Sequence, residues 1–193
     1  VHLAGRWFAN FADGSPKPGL RRGVICRFAE RAAAPRLAAL ALAQPRGAPQ
    51  IASGGERSNG AFLTESLRDL FWSPSGSAPV PAAMEPCVWL ADRQILVARE
   101  TSDPARGWIL AAKGGTNDES HNHNALGAFI AMLDGQPLLV DVGVGSYSAK
   151  TFGPERYSIW TMQSFHHGLP EFDGAQQQAG PAFRAKVARF DSA

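Results

Sequence analysis

The chain has 193 residues, of which 45% are hydrophobic and 19% charged, and its formal net charge is +2. This is ordinary globular composition, which excludes a disordered tail, and the scattered Arg and Lys residues exclude a nucleic-acid-binding stripe. The two cysteines, Cys26 and Cys87, are too far apart for a zinc knuckle, and no apolar run is long enough to span a membrane.

The first third of the chain has the composition of a helical region. Residues 20–43 are rich in Ala, Leu and Arg, and Pro35 stands where the first turn of a second helix would begin. Asn59 is a suitable N-terminal cap for a third helix, which Pro74 would end. The sequence therefore predicts that residues 1–72 form a mainly helical domain.

The remainder of the chain has the pattern of a β-domain. Four prolines and one glycine interrupt residues 73–86, which predicts a linker. The Asp134-Gly135 pair lies between two apolar runs, and Gly accepts the positive φ that a tight hairpin turn requires. Alternating short runs without long intervening helices predict an antiparallel β-sandwich over residues 87–193, so the expected fold class is α+β. The predicted strands are residues 94–99, 108–113, 128–133, 137–142 and 183–187.

The densest polar segment of the chain is GGTNDESHNHN, residues 114–124, between two predicted strands. If it is extended, His121 and His123 point to the same face of the sheet, as two imidazoles must in order to share a metal ion. Such a pair is more often a surface loop or a hydrogen-bonded pair, and spacing alone does not decide between these alternatives.

Asp141 and the pair His166-His167 complete a possible ligand set. Asp141 follows the apolar residues 138–140, where an unpaired buried carboxylate would be expensive, so it needs a metal ion or the backbone amides of the glycines after it. Either histidine would add an imidazole, unless both are simple loop residues. Two imidazoles and one carboxylate with an open position is the pattern of an accessible zinc site.

A long stretch of this second region resembles a known family. AAKGGTNDESHNHNALGAFIAMLDGQPLLVDVGVGSYSAKTFGPERYSIWTMQSFHHGLPEFDGAQQ is similar to the heparinase II/III-like proteins, bacterial lyases that cleave acidic polysaccharides. The upstream WFANFADGSPKP and the helix around Glu65-Ser66-Leu67 resemble the end of the family's α/α toroid. The resemblance implies a fragment of a periplasmic or secreted lyase that acts on a uronate-containing polysaccharide, with neither nucleic acid nor membrane as a partner.

The resemblance also implies roles for individual residues. Three match the family's zinc ligands: His123, Asp141 and His167. His121 matches a histidine with a catalytic role that faces the substrate beside the metal. Four residues are expected to contact the polysaccharide: Asn117, Glu119, His121 and Trp160. His166 stays an alternative third ligand. Ala125 and Gly168 stand where family members commonly carry Asp and Asn, so we expect the support of the ligands to differ here.

Three rival functions use the same residues. A noncatalytic, zinc-stabilised carbohydrate-binding or scaffold module needs only the metal and exposed aromatic rings. A cupin-like oxygenase needs a glutamate ligand after the histidine pair, and residues 125–130 contain none. A zinc hydrolase needs a general base such as Glu119 near the metal. The family's catalytic tyrosine belongs to its toroid, whereas Tyr147 and Tyr157 match sandwich motifs, so we expect this chain alone to be inactive.

Overall fold

The computed structural model of the protein describes residues 1–43, 59–74 and 83–191, and its contacts divide the chain into two units. One unit is helical and comprises Gly19–Ala83, and the other combines Val1–Pro18 with Met84–Ala193 and contains the β-strands. The mixed α+β class predicted from the sequence is confirmed. None of the helices in the described residues is long and apolar enough to cross a membrane.

The helical unit contains α1 (Arg22–Arg31), α2 (Pro35–Ala43) and α3 (Asn59–Trp72). These are the three helices that the sequence predicts, with Pro35 at the start of the second. Gly23 lies where α1 meets α3, because a Cβ there would collide with the backbone of Arg68 and Asp69. The amide of Gly23 donates to Asp69 Oδ1 at 2.8 Å, which satisfies one of the free N–H groups at the beginning of α1.

The first 18 residues differ from the predicted division, which assigned residues 1–72 to one helical domain. They form a small ladder of β1 (His2–Ala4) and β2 (Trp7–Phe8), and they belong to the sheet unit. The reason is apolar burial, since Leu3 is 1% exposed in the core beneath the sheet. Arg99 also donates to the carbonyl oxygen of His2 at 2.8 Å. Residues 75–82 of the predicted linker lie outside the described residues.

The sheet unit is built on a five-stranded antiparallel sheet in the order β3-β4-β5-β7-β8, with a separate two-stranded ladder of β6 and β9. The strands are β3 (Cys87–Leu90), β4 (Ile95–Arg99), β5 (Trp108–Lys113), β6 (Thr116–Asn117), β7 (Phe129–Leu133), β8 (Gln136–Leu139) and β9 (Gly180–Arg184). The five predicted strands are all present, although β8 ends before the predicted boundary and β9 begins earlier. Because the second ladder has only two strands among the described residues, a full sandwich stays a prediction.

The core lies on one face of the sheet and brings distant segments together. Buried residues alternate with more exposed ones along β4, β5 and β7, because successive side chains of a strand point to opposite faces. The N-terminal segment and the loop before β7 pack against the same face. The cluster contains Leu3, Ala4, Phe11, Val97, Ile109, Ala111, Ala125, Ala128, Ile130 and Met132. This packing places the loop after β5, the chain after β8 and the N-terminal segment around one site.

The hairpin between β7 and β8 turns at Asp134-Gly135, as predicted. Both residues have positive φ, 49° and 73°, which is typical of the primed turns that fit twisted strands. Asp134 Oδ1 accepts the amide of Gly107 at 2.8 Å, which ties the turn to the neighbouring loop.

We expect Gly135→Ala to lower the free energy of unfolding by about 1 kcal/mol, because a Cβ strains left-handed backbone. The new Cβ would have no neighbour nearer than 3.4 Å, so strain alone is tested. Gly145→Ala is the matched control, since Gly145 has open space and no positive φ, and its effect should stay within about 0.5 kcal/mol. Urea denaturation measures both, and equal effects would contradict the strain argument.

Candidate metal centre

The loop after β5 carries the histidine pair in a turn, which is the loop alternative that the sequence leaves open. His121 has φ of +62°, in the left-handed region, so residues 121–123 are not an extended strand. A turn causes this, because the amide of Asn122 donates to the carbonyl oxygen of Glu119 at 3.2 Å. The two imidazoles nevertheless share one partner, because both contact the carboxylate of Asp13.

The three predicted metal ligands lie together in the structure. His123, Asp141 and His167 are all buried, and one potential ligand atom from each lies within 4.8 Å of the others. His167 Nδ1 is 2.8 Å from Asp141 Oδ2, while Asp141 Oδ1 accepts the amide of Gly143 at 2.9 Å. The Asp141 carboxylate therefore accepts from one of the glycine amides that the sequence suggests, and it also lies against the His167 imidazole.

The hydrogen bonds of this cluster leave lone pairs that fit a cation. The carbonyl oxygen of Thr161 can only accept, so His167 Nε2, 3.1 Å away, carries the hydrogen. In a neutral ring His167 Nδ1 then faces Asp141 Oδ2 with a lone pair, and a proton or a metal ion must lie between them. His123 Nδ1 is also buried and has no hydrogen-bond partner in the part of the chain that the structure describes. Such orphaned atoms are what a metal ion would satisfy.

Burial favours the neutral form of His123, which is the form that binds metals. Desolvation lowers the pKa of this imidazole, although its hydrogen bond to Asp13 opposes the shift. The His123 and His167 ring centroids are 5.3 Å apart, and the nearby His167 ring also lowers the pKa of His123.

Asp13 is the hydrogen-bond centre around which the loop is arranged. Its Oδ1 lies 2.9 Å from His123 Nε2 and accepts Arg156 Nη2 at 3.0 Å. Its Oδ2 lies 2.8 Å from His121 Nδ1 and accepts the Tyr147 hydroxyl at 2.9 Å. Burial would raise the pKa of Asp13, but the bonds from the two histidines and Tyr147, together with the charge of Arg156, hold it below its ordinary value. The carboxylate is thus kept ionised.

Arg156 holds the histidine loop in place through bonds to its backbone. Its side chain is buried, and it donates through Nε and Nη2 to the carbonyl oxygen of Asn122, at 3.2 and 2.9 Å. Nη1 donates to the carbonyl oxygen of Thr151 at 2.6 Å. The Tyr157 hydroxyl adds a 2.6 Å bond to Asn122 Oδ1. Because Asn122 lies between the two histidines, these bonds fix the direction of both rings.

An exposed edge adjoins the buried cluster. The His121 side chain is 52% exposed, and Tyr147 and Phe152 are also exposed. The Phe152 ring meets both others edge-on, with centroids 5.2 Å from His121 and 5.1 Å from Tyr147. The bond to Asp13 raises the pKa of Tyr147, so its hydroxyl is held as a donor. This edge presents polar atoms and aromatic faces together, a combination suited to a sugar.

The other three residues that are predicted to contact the substrate differ in their exposure. Trp160 is exposed and meets His166 edge-on at 5.2 Å, on the surface as expected. Asn117, in contrast, is 1% exposed and donates to the carbonyl oxygen of Gln178, so a substrate has no access to its side chain here. Glu119 forms a largely buried ion pair with Lys113 at 3.3 Å.

Ala125 and Gly168, the two positions that depart from the family pattern, are closely packed in the structure. Ala125 is 3% exposed and belongs to the sheet core. A Cβ at Gly168 would lie 3.2 Å from Leu139 and from the carbonyl oxygen of Phe129, so the neighbours leave little room for a side chain. His167, just before this glycine, is the buried member of its pair, whereas His166 is exposed. The structure therefore has His167, and not the alternative His166, in the ligand cluster.

Sequence reasoning missed the two residues that hold the site together, Asp13 and Arg156. Asp13 lies 108 residues before His121, in an Ala-Asp-Gly segment that is typical of a turn. Arg156 lies 34 residues after Asn122, in a stretch without a ligand motif. No local pattern in the chain marks either residue as part of a site.

Neither a protein-family model nor a curated protein sequence matches the chain. Heparan sulfate lyase HepC from Pedobacter heparinus, in its unmodified and mutant crystal structures, is similar to 84% of this chain at 16% identity and a TM-score of 0.46. The chain spans 20% of the length of those chains. A likeness at this level does not establish kinship.

We expect Arg156→Met to lower the free energy of unfolding by about 3 kcal/mol, since it removes one partner of a buried ion pair and leaves two carbonyl groups without donors. Arg189→Met is the matched control, because the Arg189 side chain is 83% exposed in its pair with Asp191. That change should cost less than about 0.5 kcal/mol. Urea denaturation of both variants is the measurement, and a small effect for Arg156 would show that it does not fasten the loop.

Proposed function

We propose that His123, Asp141 and His167 hold one zinc ion. Neutral imidazoles and a carboxylate are common zinc ligands, and three protein ligands leave one coordination position open. The proposal is supported by the orphaned Nδ1 of His123 and by the lone pairs that face each other between His167 and Asp141. The ion would join segments from three parts of the chain and so stabilise the edge that carries His121.

We expect the purified chain to retain about one zinc per molecule after dialysis, and His167→Ala to lose it, because a three-ligand site does not survive loss of a ligand. His166→Ala is the matched control and should keep its zinc, since its ring is exposed and lies against Trp160. Elemental analysis measures the content, with circular dichroism to verify folding.

His121→Ala should also keep the metal. The ligand assignment fails if His123→Ala and Asp141→Asn both leave the zinc content unchanged.

We further propose that the site is the metal-bearing side of a lyase active site that cleaves uronate-containing polysaccharides, in a periplasmic or secreted protein. One observation carries the proposal: the buried cluster and the exposed His121 share the Asp13 carboxylate. An exposed imidazole therefore lies directly beside the proposed metal centre, next to aromatic rings that suit a sugar. The sequence resemblance to heparinase II/III-like lyases supports the same function.

The chemistry of such a lyase sets what these residues must do. A base removes the proton from the carbon beside the uronate carboxylate, the electron pair forms a carbon–carbon double bond, and the bond to the leaving sugar oxygen breaks as that oxygen gains a proton. The proton is weakly acidic, so charge that develops on the carboxylate must be stabilised by fixed donors. We expect His121, held by Asp13 at the exposed edge, to contact the uronate, and the exposed ring of Trp160 to contact another sugar of the polymer.

The rival functions fit the geometry less well, with one exception. A zinc hydrolase needs a free carboxylate base, and Glu119 is committed to Lys113 at 3.3 Å. A cupin-like oxygenase needs a glutamate in the cluster, and the group found in the described residues is two histidines and one aspartate. The noncatalytic carbohydrate-binding module stays a second candidate, because the exposed Trp160 and Phe152 favour it.

We expect the zinc-loaded chain to bind heparan sulfate or alginate and to lose this binding when the polymer carboxylates are reduced to alcohols. His121→Ala should weaken binding about tenfold, the size of a lost hydrogen bond to a charged group. Trp160→Ala should weaken binding several-fold. Trp108→Ala is the control and should not weaken binding, because Trp108 is similarly exposed but lies at the start of β5, whereas the histidine loop follows the end of that strand. Isothermal titration calorimetry measures these affinities. Binding that depends on Trp160 and Phe152 but not on His121 would favour the noncatalytic module.

The same mixtures should show no unsaturated product by near-ultraviolet absorbance, since the family's toroid tyrosine has no match among the residues of this chain. Product that disappears in Tyr147→Phe or Tyr157→Phe would contradict this expectation and would mean that the catalytic groups are local.

A further inference from the structure

The two oxygens of Asp13 serve different parts of the site. Oδ1 faces inward, to His123 Nε2 and Arg156 Nη2, whereas Oδ2 faces the exposed edge, to His121 Nδ1 and the Tyr147 hydroxyl. The carboxylate side chain is only 7% exposed, so water does not replace these partners. A single buried group thus connects the cluster with the edge.

We infer that Asp13 is the positioning residue of this site, and that it fixes the hydrogen-bearing nitrogen of His121 and of His123 at the same time. The inference deepens the proposed function, on which it rests for the metal at His123. Asp13 itself touches neither the proposed ion nor a substrate, so its part in the chemistry is through the two imidazoles.

For His123 the consequence follows from the rules of hydrogen bonding. An ionised carboxylate only accepts, so the nitrogen that faces Asp13 carries the hydrogen, and this nitrogen is Nε2. In the neutral ring the other nitrogen, Nδ1, must then hold a bare lone pair. Nδ1 is also the buried atom of this ring that lacks a partner among the described residues. Asp13 therefore selects the form of His123 that can bind a metal, as carboxylates behind metal-binding histidines commonly do.

For His121 the same rule has the opposite outcome. Here Nδ1 faces Asp13 and carries the hydrogen, so Nε2 of the neutral ring holds the lone pair. A histidine side chain free in water prefers the hydrogen on Nε2, so the bond to Asp13 reverses the ordinary preference. Since the ring is half exposed, the exposed edge presents an acceptor nitrogen, able to take a hydrogen bond or a proton from a ligand.

Tyr147 and Arg156 complete the arrangement without competing for these roles. The Tyr147 hydroxyl donates to Oδ2 beside His121, and its ring packs on Phe152, which in turn contacts the His121 ring. Arg156 donates to Oδ1 beside His123. Each oxygen of Asp13 therefore has one imidazole and one permanent donor, and the donors hold the carboxylate in place while the imidazoles are oriented by it.

A purely structural role for Asp13 would give a different result. If the carboxylate only held the N-terminal segment in place, its loss would lower stability, but in the unsubstituted chain His121 would keep the hydrogen on Nε2, as a histidine side chain free in water does. Long-range proton–nitrogen NMR spectra of the 193-residue chain labelled with nitrogen-15 histidine distinguish the two cases, because they report which ring nitrogen carries the hydrogen.

The test uses the chain without metal and with zinc, at about pH 8, above the ordinary pKa of imidazole. We expect His121 with its hydrogen on Nδ1 and His123 with its hydrogen on Nε2. Asp13→Asn should return His121 to the Nε2–H form and weaken zinc binding about 10- to 100-fold, measured by chelator competition. Asp134→Asn is the matched control, since it removes the same charge at a distant turn and should change neither result.

Two outcomes would overturn the inference: an Nε2–H form of His121 in the unsubstituted chain, or unchanged zinc affinity in Asp13→Asn. The first is measured even if the variant fails to fold. A chain that binds no zinc but shows the expected hydrogen positions would refute the metal proposal and leave the role of Asp13 in orienting both rings intact, so the two failures are distinguishable.

Discussion

A buried carboxylate is stable only when donors surround it, and the geometry of this site follows from how the chain supplies those donors to Asp13. Four come from three separate segments: the histidine loop, the chain after β8 and the stretch that contains Arg156. Arg156, one of these donors, is itself fixed by bonds to the carbonyl oxygens of Asn122 and Thr151, so it holds the carboxylate in place. The orientation of both imidazoles, and with it the shape of the metal cluster, depends on that constraint.

The elements of the fold were accessible from sequence because their causes are local. Pro35 marks the start of α2, and the Asp134-Gly135 pair marks the hairpin through the backbone angles that it permits. The ligand residues were also recognisable, since histidine and aspartate carry their chemistry with them. The contribution of Asp13 was not, because it depends on a contact across 108 residues, and nothing near it in sequence distinguishes it from a turn residue.

Two departures from what neighbours in sequence suggest share a physical cause. One is the conformation of the histidine pair, for which an extended segment and a surface loop were both open, and the other is the place of Val1–Pro18 outside the helical unit. The turn at His121 is stabilised by the contact of Asp13 with His121 and by the bond from Arg156 to the carbonyl oxygen of Asn122. Residues 1–18 join the sheet unit because Leu3 and Phe11 find apolar partners there. Tertiary contacts decided both cases against local preference.

The site also has a consequence for the kinetics of folding. Its members come from positions 13, 121–123, 141, 156 and 167, so it cannot form before the contacts of greatest sequence separation are made. Interactions that form after the transition state affect the unfolding rate and leave the folding rate nearly unchanged. An ion held at this centre would accordingly slow unfolding and prolong the lifetime of the native state, but it would not speed folding.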